Sequence, residues 1–388
     1  MNLRPNLLCS LASLFLLVLP LTARAQGDPN RGAMLYVSYQ CTSCHNHPIP
    51  PDRPMEIGST AQGLLNSILF RSNGLMGTLY GSTLAQNPTD LADLAAYIAL
   101  TAEPPPTPPD LNQHGLTGSW YEQATGGQGI EVEIFADPST GSGSTFVSWF
   151  TFDTAIGGAD HQRWYTAQGP VVTGQPYASL MIYQNTDGNF NAPPATTATP
   201  VGTATLSFST CTSGQFLYSF TDGTGRVGNI ALTRLTANVT CSTAAPYPTN
   251  ADFALSGNWY GGPATGGQGF TVEVNPITSY LFAAWYTYEP MGAAAGASGQ
   301  RWYTAQAPSF TAGMRSIPVT IYETTGGIFD APIPPPGPPT VPVGSGTLAF
   351  QSCTIATFNY TFTGGTSSGL SGTITLSRVG PVPPGCTS

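Results

Sequence analysis

The sequence has no lysine. All eleven basic residues are arginine, and Asp, Glu, Lys and Arg together make up 8% of the 388 residues, against roughly 25% in an average globular chain. Twenty acidic residues give a formal net charge of −9, so the chain carries no cationic footprint for nucleic acid or an anionic lipid surface. Long apolar runs are also scarce: Leu11–Leu21 is too short to span a bilayer comfortably as a helix, and no other run is long enough. Only four histidines are present. There is no Ser-His-Asp ordering, no phosphate-cradling Gly-rich loop and no carboxylate dyad, so the sequence offers none of the common hydrolytic or nucleotide-dependent chemistries.

What is present begins with an export signature. Arg4 supplies a positive start, Leu11 to Leu21 an apolar core, and Ala23-Arg24-Ala25 a small-x-small cleavage site, so residues 1–25 read as a cleaved signal peptide and the mature protein as periplasmic or secreted. Cys9 would leave with the signal. Of the six remaining cysteines, Cys211 and Cys241, then Cys353 and Cys386, fall in two well-spaced pairs near the ends of two similar stretches. In an exported chain they are expected to form two disulfides, each worth roughly 3–4 kcal/mol for a loop of about 30 residues.

The other two thiols lie in Cys41-Thr42-Ser43-Cys44-His45. Two thiols three positions apart followed by histidine is the spacing that attaches a c-type haem. Cys41 and Cys44 would form the thioethers and His45 would ligate the iron. A zinc site would need a second nearby pair of ligands, and a thioredoxin-like site would need an alternating β/α context; neither is evident. For the second axial position Met76, in Gly74-Leu75-Met76-Gly77, is preferred over Met34, Met55 and His47. A thioether opposite histidine raises the potential and closes the sixth site, which favours electron transfer over oxygen chemistry.

Residues 26–103 hold the helical signals. Asp28 to Tyr39 carries Met34, Tyr36 and Val37 toward the cysteine motif. Asn87-Pro88-Thr89-Asp90 announces a second helix, with Asn as cap, Pro at the first position and a carboxylate in the first turn. Leu91, Leu94, Ala95 and Ile98 then recur on one face, with Asp90 and Asp93 off it. This segment resembles a small class I cytochrome c domain. The resemblance implies an all-α fold with one covalent haem c, terminal helices crossing at Gly32 against Tyr97, and a redox partner protein. Glu103-Pro104-Pro105-Pro106-Thr107-Pro108-Pro109 stops the helix and opens a semi-rigid linker over 104–114.

Beyond the linker the chain repeats itself. Leu116-Thr117-Gly118-Ser119-Trp120-Tyr121 recurs as Leu255-Ser256-Gly257-Asn258-Trp259-Tyr260, Thr125–Gly129 as Thr265–Gly269, and Gln162–Gln168 unchanged as Gln300–Gln306. Pro200-Val201-Gly202 matches Pro342-Val343-Gly344, and all six tryptophans sit at matching positions, three per copy. A period of this length marks a duplicated domain rather than a solenoid: module 1 over 115–241, a linker over 242–253, and module 2 over 254–386. Within each copy the apolar period is two, as in Ile130, Val132 and Ile134 or Phe270, Val272 and Val274. Eight runs per copy, beginning in the first near Ser119, Gly129, Thr145, Gln162, Ala178, Gly202, Gln215 and Val227, predict two all-β antiparallel modules. An eight-stranded up-and-down barrel is favoured, with a β-sandwich as the alternative.

The opening Gly-x-Trp of each module resembles the first strand of avidins and lipocalins. That resemblance implies an arginine near the last strand packed over the tryptophan, here Arg234 over Trp120 and Arg378 over Trp259. Glu133 with Arg163, and Glu273 with Arg301, recur on equivalent strands and are expected to form ion pairs within each module. The tryptophans and tyrosines offer either core or sugar-stacking faces, core being preferred. His114 and His161 have no counterparts in the second copy, which speaks against a repeated metal site.

Two functions follow. The first is an exported mono-haem cytochrome that passes single electrons, without catalysis of its own unless as a subunit of an oxidoreductase, with the β modules positioning it. The second is an extracellular binding or adhesion protein whose β modules hold a glycan, a small ligand or a protein.

Overall fold

The computed structural model describes residues 27–39, 41, 64–65, 80, 83–101, 108–290, 296–334 and 337–387. The chain divides into two compact units, Met1–Pro105 and Pro106–Ser388.

In the first unit, helix α1 (Pro29–Ser38) is capped by Asp28, whose Oδ1 accepts the Asn30 N–H at 2.9 Å. Helix α2 (Pro88–Thr101) starts where the capping signal placed it, Asn87 Oδ1 accepting the Asp90 N–H at 3.1 Å. The helices cross at Gly32, where a Cβ would lie 2.0 Å from the Asp93 carbonyl oxygen and 2.7 Å from the Tyr97 Cβ. Leu91, Leu94, Ala95 and Ile98 are buried as expected. Met34 and Val37 are not: they are 66% and 63% exposed, while Tyr36 is buried. Gly32 and Tyr36 are one helical turn apart and share the packed face, which turns positions 34 and 37 outward. Asp90 and Asp93 are buried beneath Arg31, which hydrogen-bonds both.

The haem c expectation is corrected here. No group of three or more His, Cys, Asp or Glu that could hold a metal ion occurs among the described residues, and the described helices do not assemble a cytochrome domain. Cys41 is buried in an apolar cluster with Tyr36, Leu84 and Leu94, an environment that suits a small apolar side chain. Cys44, His45 and Met76, like the expected signal peptide, lie outside the described residues.

The second unit consists of two closed antiparallel barrels in up-and-down order, so the barrel prevails over the sandwich. The first comprises β1 (Gly118–Tyr121), β2 (Gly129–Phe135), β3 (Ser142–Phe152), β4 (Gln162–Val172), β5 (Tyr177–Gln184), β6 (Thr199–Phe208), β7 (Ser213–Phe220) and β8 (Val227–Arg234), with β8 returning to β1. The second repeats it with β9 (Gly257–Tyr260), β10 (Gly269–Asn275), β11 (Tyr280–Tyr288), β12 (Gln300–Ala307), β13 (Ser316–Thr324), β14 (Thr340–Phe350), β15 (Ile355–Phe362) and β16 (Ser371–Arg378). Period-two alternation sends Ile130, Val132 and Ile134, and likewise Phe270, Val272 and Val274, into the barrel cores. Cys211–Cys241 and Cys353–Cys386 are bonded. The arginine-over-tryptophan arrangement is also present, Arg234 lying 5.3 Å from the Trp120 ring centre and Arg378 4.7 Å from that of Trp259. Among the described residues no helix is long and apolar enough to cross a membrane.

The two barrels are joined as an isologous pair would be, with the same residues contributed from each side. Gln162 Nε2 donates to the carbonyls of Trp302 (2.9 Å) and Thr324 (3.0 Å), and Gln300 Nε2 donates to those of Trp164 (3.0 Å) and Asn185 (2.8 Å). The Trp164 indole N–H bonds the Thr287 carbonyl, and that of Trp302 bonds the Thr151 carbonyl. Around them Phe150, Phe152, Tyr286 and Tyr288 complete a buried aromatic seam.

The expected ion pairs are corrected by this seam. Glu133 pairs with Arg378 at 3.1 Å and accepts both Asn258 donors, while Glu273 pairs with Arg234 at 3.4 Å and accepts the Ser119 N–H at 2.8 Å. Each bridge therefore runs between barrels and is buried. Arg163 and Arg301 turn instead to Asp153 and Glu289 within their own barrels. Gly118 sits at one such crossing with φ +139°, and a Cβ there would meet the Glu273 carboxyl at 2.8 Å, so glycine suits both the backbone and the approach.

The barrels also exchange plugs. The β5–β6 loop carries Phe190 into the mouth of the second barrel, against Trp285, Tyr360 and Phe362 at 5.5–6.1 Å. The β13–β14 loop returns Phe329 into the first, 5.1 Å from Trp149 and 5.8 Å from Tyr218 and Phe220. Gln268 holds the first plug through the Asn191 N–H and the Ala192 carbonyl; Gln128 holds the second through the Asp330 N–H and the Ile328 carbonyl.

Candidate ligand cleft between the barrels

In each barrel the plug from the other packs over the core rings at one end. The aromatic residues behind the plugs belong to the barrel cores, and all six tryptophans are at most 2% exposed. None presents a face to a sugar at the surface, and the preference for core over stacking platform holds.

The space that remains lies outside the barrels. A cleft of about 550 Å³ opens on the seam between the outer face of β3–β5 and the β9–β10 corner of the second barrel. Strand alternation points Phe146, Ser148, Thr166 and Gln168 away from the first core and into it, because Val147, Tyr165 and Ala167 point inward. Across the cleft stand Asn258, Thr271 and Tyr286, with the Gly266–Gly267 turn at its rim.

The chemistry of the lining is hydroxyl, amide and ring. The Tyr286 hydroxyl, beside Ser148, is buried without a well-formed hydrogen-bond partner. Burial pushes its pKa well above the ordinary tyrosine value, with the nearby Glu131 adding to the effect, so the phenol keeps its proton and stays a donor. The Thr271 hydroxyl donates to Asn258 Oδ1 at 2.6 Å, which leaves the Ser148 hydroxyl, 3.2 Å away, as the donor to Thr271 Oγ1. The one charged group on the lining, Arg378, is already held by Glu133 and by the carbonyls of Cys353, Ala254 and Ser256. A ligand here meets a neutral, mostly apolar surface with a few fixed polar anchors, which is how small-molecule sites are usually built.

Cys211, Cys241, Cys353 and Cys386 do not line this cleft. The four disulfide cysteines staple loops at barrel ends. His114 is buried against Phe253 at 5.5 Å, its pKa lowered to about 3 chiefly by burial, and faces a separate hollow. Sequence reasoning passed over the lining residues and both plugs. A signal for the plugs was present: Gly188-Asn189-Phe190-Asn191-Ala192-Pro193 recurs as Gly327-Ile328-Phe329-Asp330-Ala331-Pro332. Comparison with protein-family models, with characterised proteins and with solved structures found no match.

Proposed function

We propose that the paired barrels form a non-catalytic binding unit that holds one small neutral molecule in the cleft between them, in a periplasmic or secreted protein. The observation that carries this reading is the buried Tyr286 hydroxyl left without a well-formed partner at the wall of a 550 Å³ cleft. A buried donor left wholly unpaired costs about 1–3 kcal/mol; Tyr286, with only Ser148 beside it, bears part of that cost, and a ligand acceptor would recover it. The two disulfides fit an oxidising compartment. Single-electron transfer lost its carrier with the haem and is not part of this reading.

Thr166, half-buried on the cleft-facing side of β4, is the place to close the site. Neutral small molecules that raise the melting temperature of the wild-type protein are expected to lose that effect in Thr166→Trp, whose own melting temperature changes by only a few degrees. Ligands that stabilise both proteins equally, or a broad panel of neutral compounds that stabilises neither, would reject the cleft as the binding site.

A further inference from the structure

The pseudo-twofold of the barrels generates a second copy of the cleft, and that copy is filled by the protein itself. Matching strand registers make Phe146 the equivalent of Phe282, Ser148 of Ala284, Thr166 of Thr304 and Gln168 of Gln306. The same register sets Ser144 opposite Tyr280 in the alignment of the copies, and Thr271 opposite Glu131. In the second copy the Tyr280 ring packs on the seam cluster that contains Phe150, Phe282 and Trp302. Its hydroxyl donates to Gln306 Oε1 at 2.8 Å, and Gln306 Nε2 donates to Thr304 Oγ1 at 3.0 Å. Burial raises the Tyr280 pKa to about 12, with Tyr322, Glu131 and Glu273 adding to it.

In the open copy the ring is missing while Phe146, Thr166 and Gln168 keep the residue types of Phe282, Thr304 and Gln306, and Tyr286 stands where the filled copy has Phe150. Ser144 is exposed, and Gln168 and Thr166 have no side-chain hydrogen bonds among the described residues. Phe146 is half-buried where Phe282 is 6% exposed. Thr271 is shorter than Glu131 and leaves further room beside Tyr286.

We infer that the open cleft receives a small phenolic molecule, with Tyr280 as its internal mimic: the ligand ring lies against Phe146 and its hydroxyl donates to Gln168 Oε1. This deepens the binding reading above and rests on it. The asymmetry of the copies also sets the stoichiometry at one ligand per chain.

The test is calorimetric titration of the whole protein with p-cresol, which is the tyrosine side chain as a free molecule. One p-cresol is expected per chain. Ser144→Tyr, which copies the self-filled arrangement at an exposed position, should weaken binding at least about tenfold, and Tyr280→Ser should raise the stoichiometry to two. Toluene, which lacks the hydroxyl, should bind about fivefold more weakly, the ratio that one net hydrogen bond of about 1 kcal/mol gives. Equal binding of toluene, p-cresol binding unchanged in Ser144→Tyr, or no p-cresol binding would each overturn the phenol assignment. D-glucose separates the two levels. If it binds one per chain and is lost in Thr166→Trp while p-cresol does not bind, the cleft stands and the phenol falls.

Discussion

Phe329→Ala is expected to lower the unfolding free energy by about 3–5 kcal/mol, the range for truncating a packed core aromatic. Phe329 is 8% exposed and meets four rings of the first barrel, and the Arg226 guanidinium lies over it at 4.6 Å. Phe190 is less enclosed, and Phe190→Ala should cost about 2–4 kcal/mol on the same grounds. The two plugs fill different barrels and share no ring partners, so the losses should add to within a few tenths of a kcal/mol. Urea unfolding followed by tryptophan fluorescence measures this, since Trp149 and Trp285 lie directly beneath the plugs. A loss below about 1 kcal/mol for Phe329→Ala would mean that the barrel core closes without its exchanged residue.

The second large effect is on the buried bridges between the barrels. Glu273→Ala leaves Arg234 buried with only the Gly115 and Thr117 carbonyls, at 2.9 and 2.6 Å, and leaves the Ser119 N–H unpaired. Removing one partner of a buried pair typically costs about 3–5 kcal/mol, because the remaining charge stays desolvated. The surviving carbonyl contacts place the expected loss near the lower end, about 3 kcal/mol. Arg315→Ala provides the contrast. Arg315 is 35% exposed and its partner Asp252 keeps the Gly313 N–H at 2.9 Å, so this pair should contribute about 1 kcal/mol or less. Equal losses from the two variants in chemical denaturation would mean that the inter-barrel bridge is worth no more than a surface pair.

The features that the sequence made legible are those written in short-range patterns. Period-two alternation located the eight strands of the first barrel to within a few residues and gave the second barrel the same number, and the Asn87-Pro88-Thr89-Asp90 signal located the start of α2. The Gly32–Tyr97 contact followed from a resemblance, and the disulfides from cysteine spacing in an exported chain. What escaped is what acts between the copies. Glu133 and Arg163 recur together in both copies and look like partners, yet Arg163 has the strand parity of the inward Tyr165 and Ala167 and pairs with Asp153, while the outward Glu133 faces the other barrel and finds Arg378, as Glu273 finds Arg234. The repeated Gln128/Gln268 and Gln162/Gln300 were visible as repeats, but their work, holding the opposite plug and crossing the seam, needs the pseudo-twofold. The cleft was hidden for a different reason. It arises where the copies differ, at Ser144 against Tyr280 and Thr271 against Glu131, and a search for repeated residues looks past such positions.

The haem expectation shows the limit of a five-residue motif. Cys41 is buried among Tyr36, Leu84 and Leu94, and no metal-holding group occurs among the described residues. The weight of the protein lies in the two barrels, whose shared seam is its most constrained surface.

Where a ligand sits can be read directly from crystals of the whole protein soaked in 4-bromophenol, by the anomalous scattering of the bromine. A single bromine peak is expected per chain, between the outer face of β4 and the β9–β10 corner, close to Phe146 and Gln168. A peak inside either barrel, beneath Phe190 or Phe329, or no ordered bromine at the seam, would contradict a binding site between the barrels.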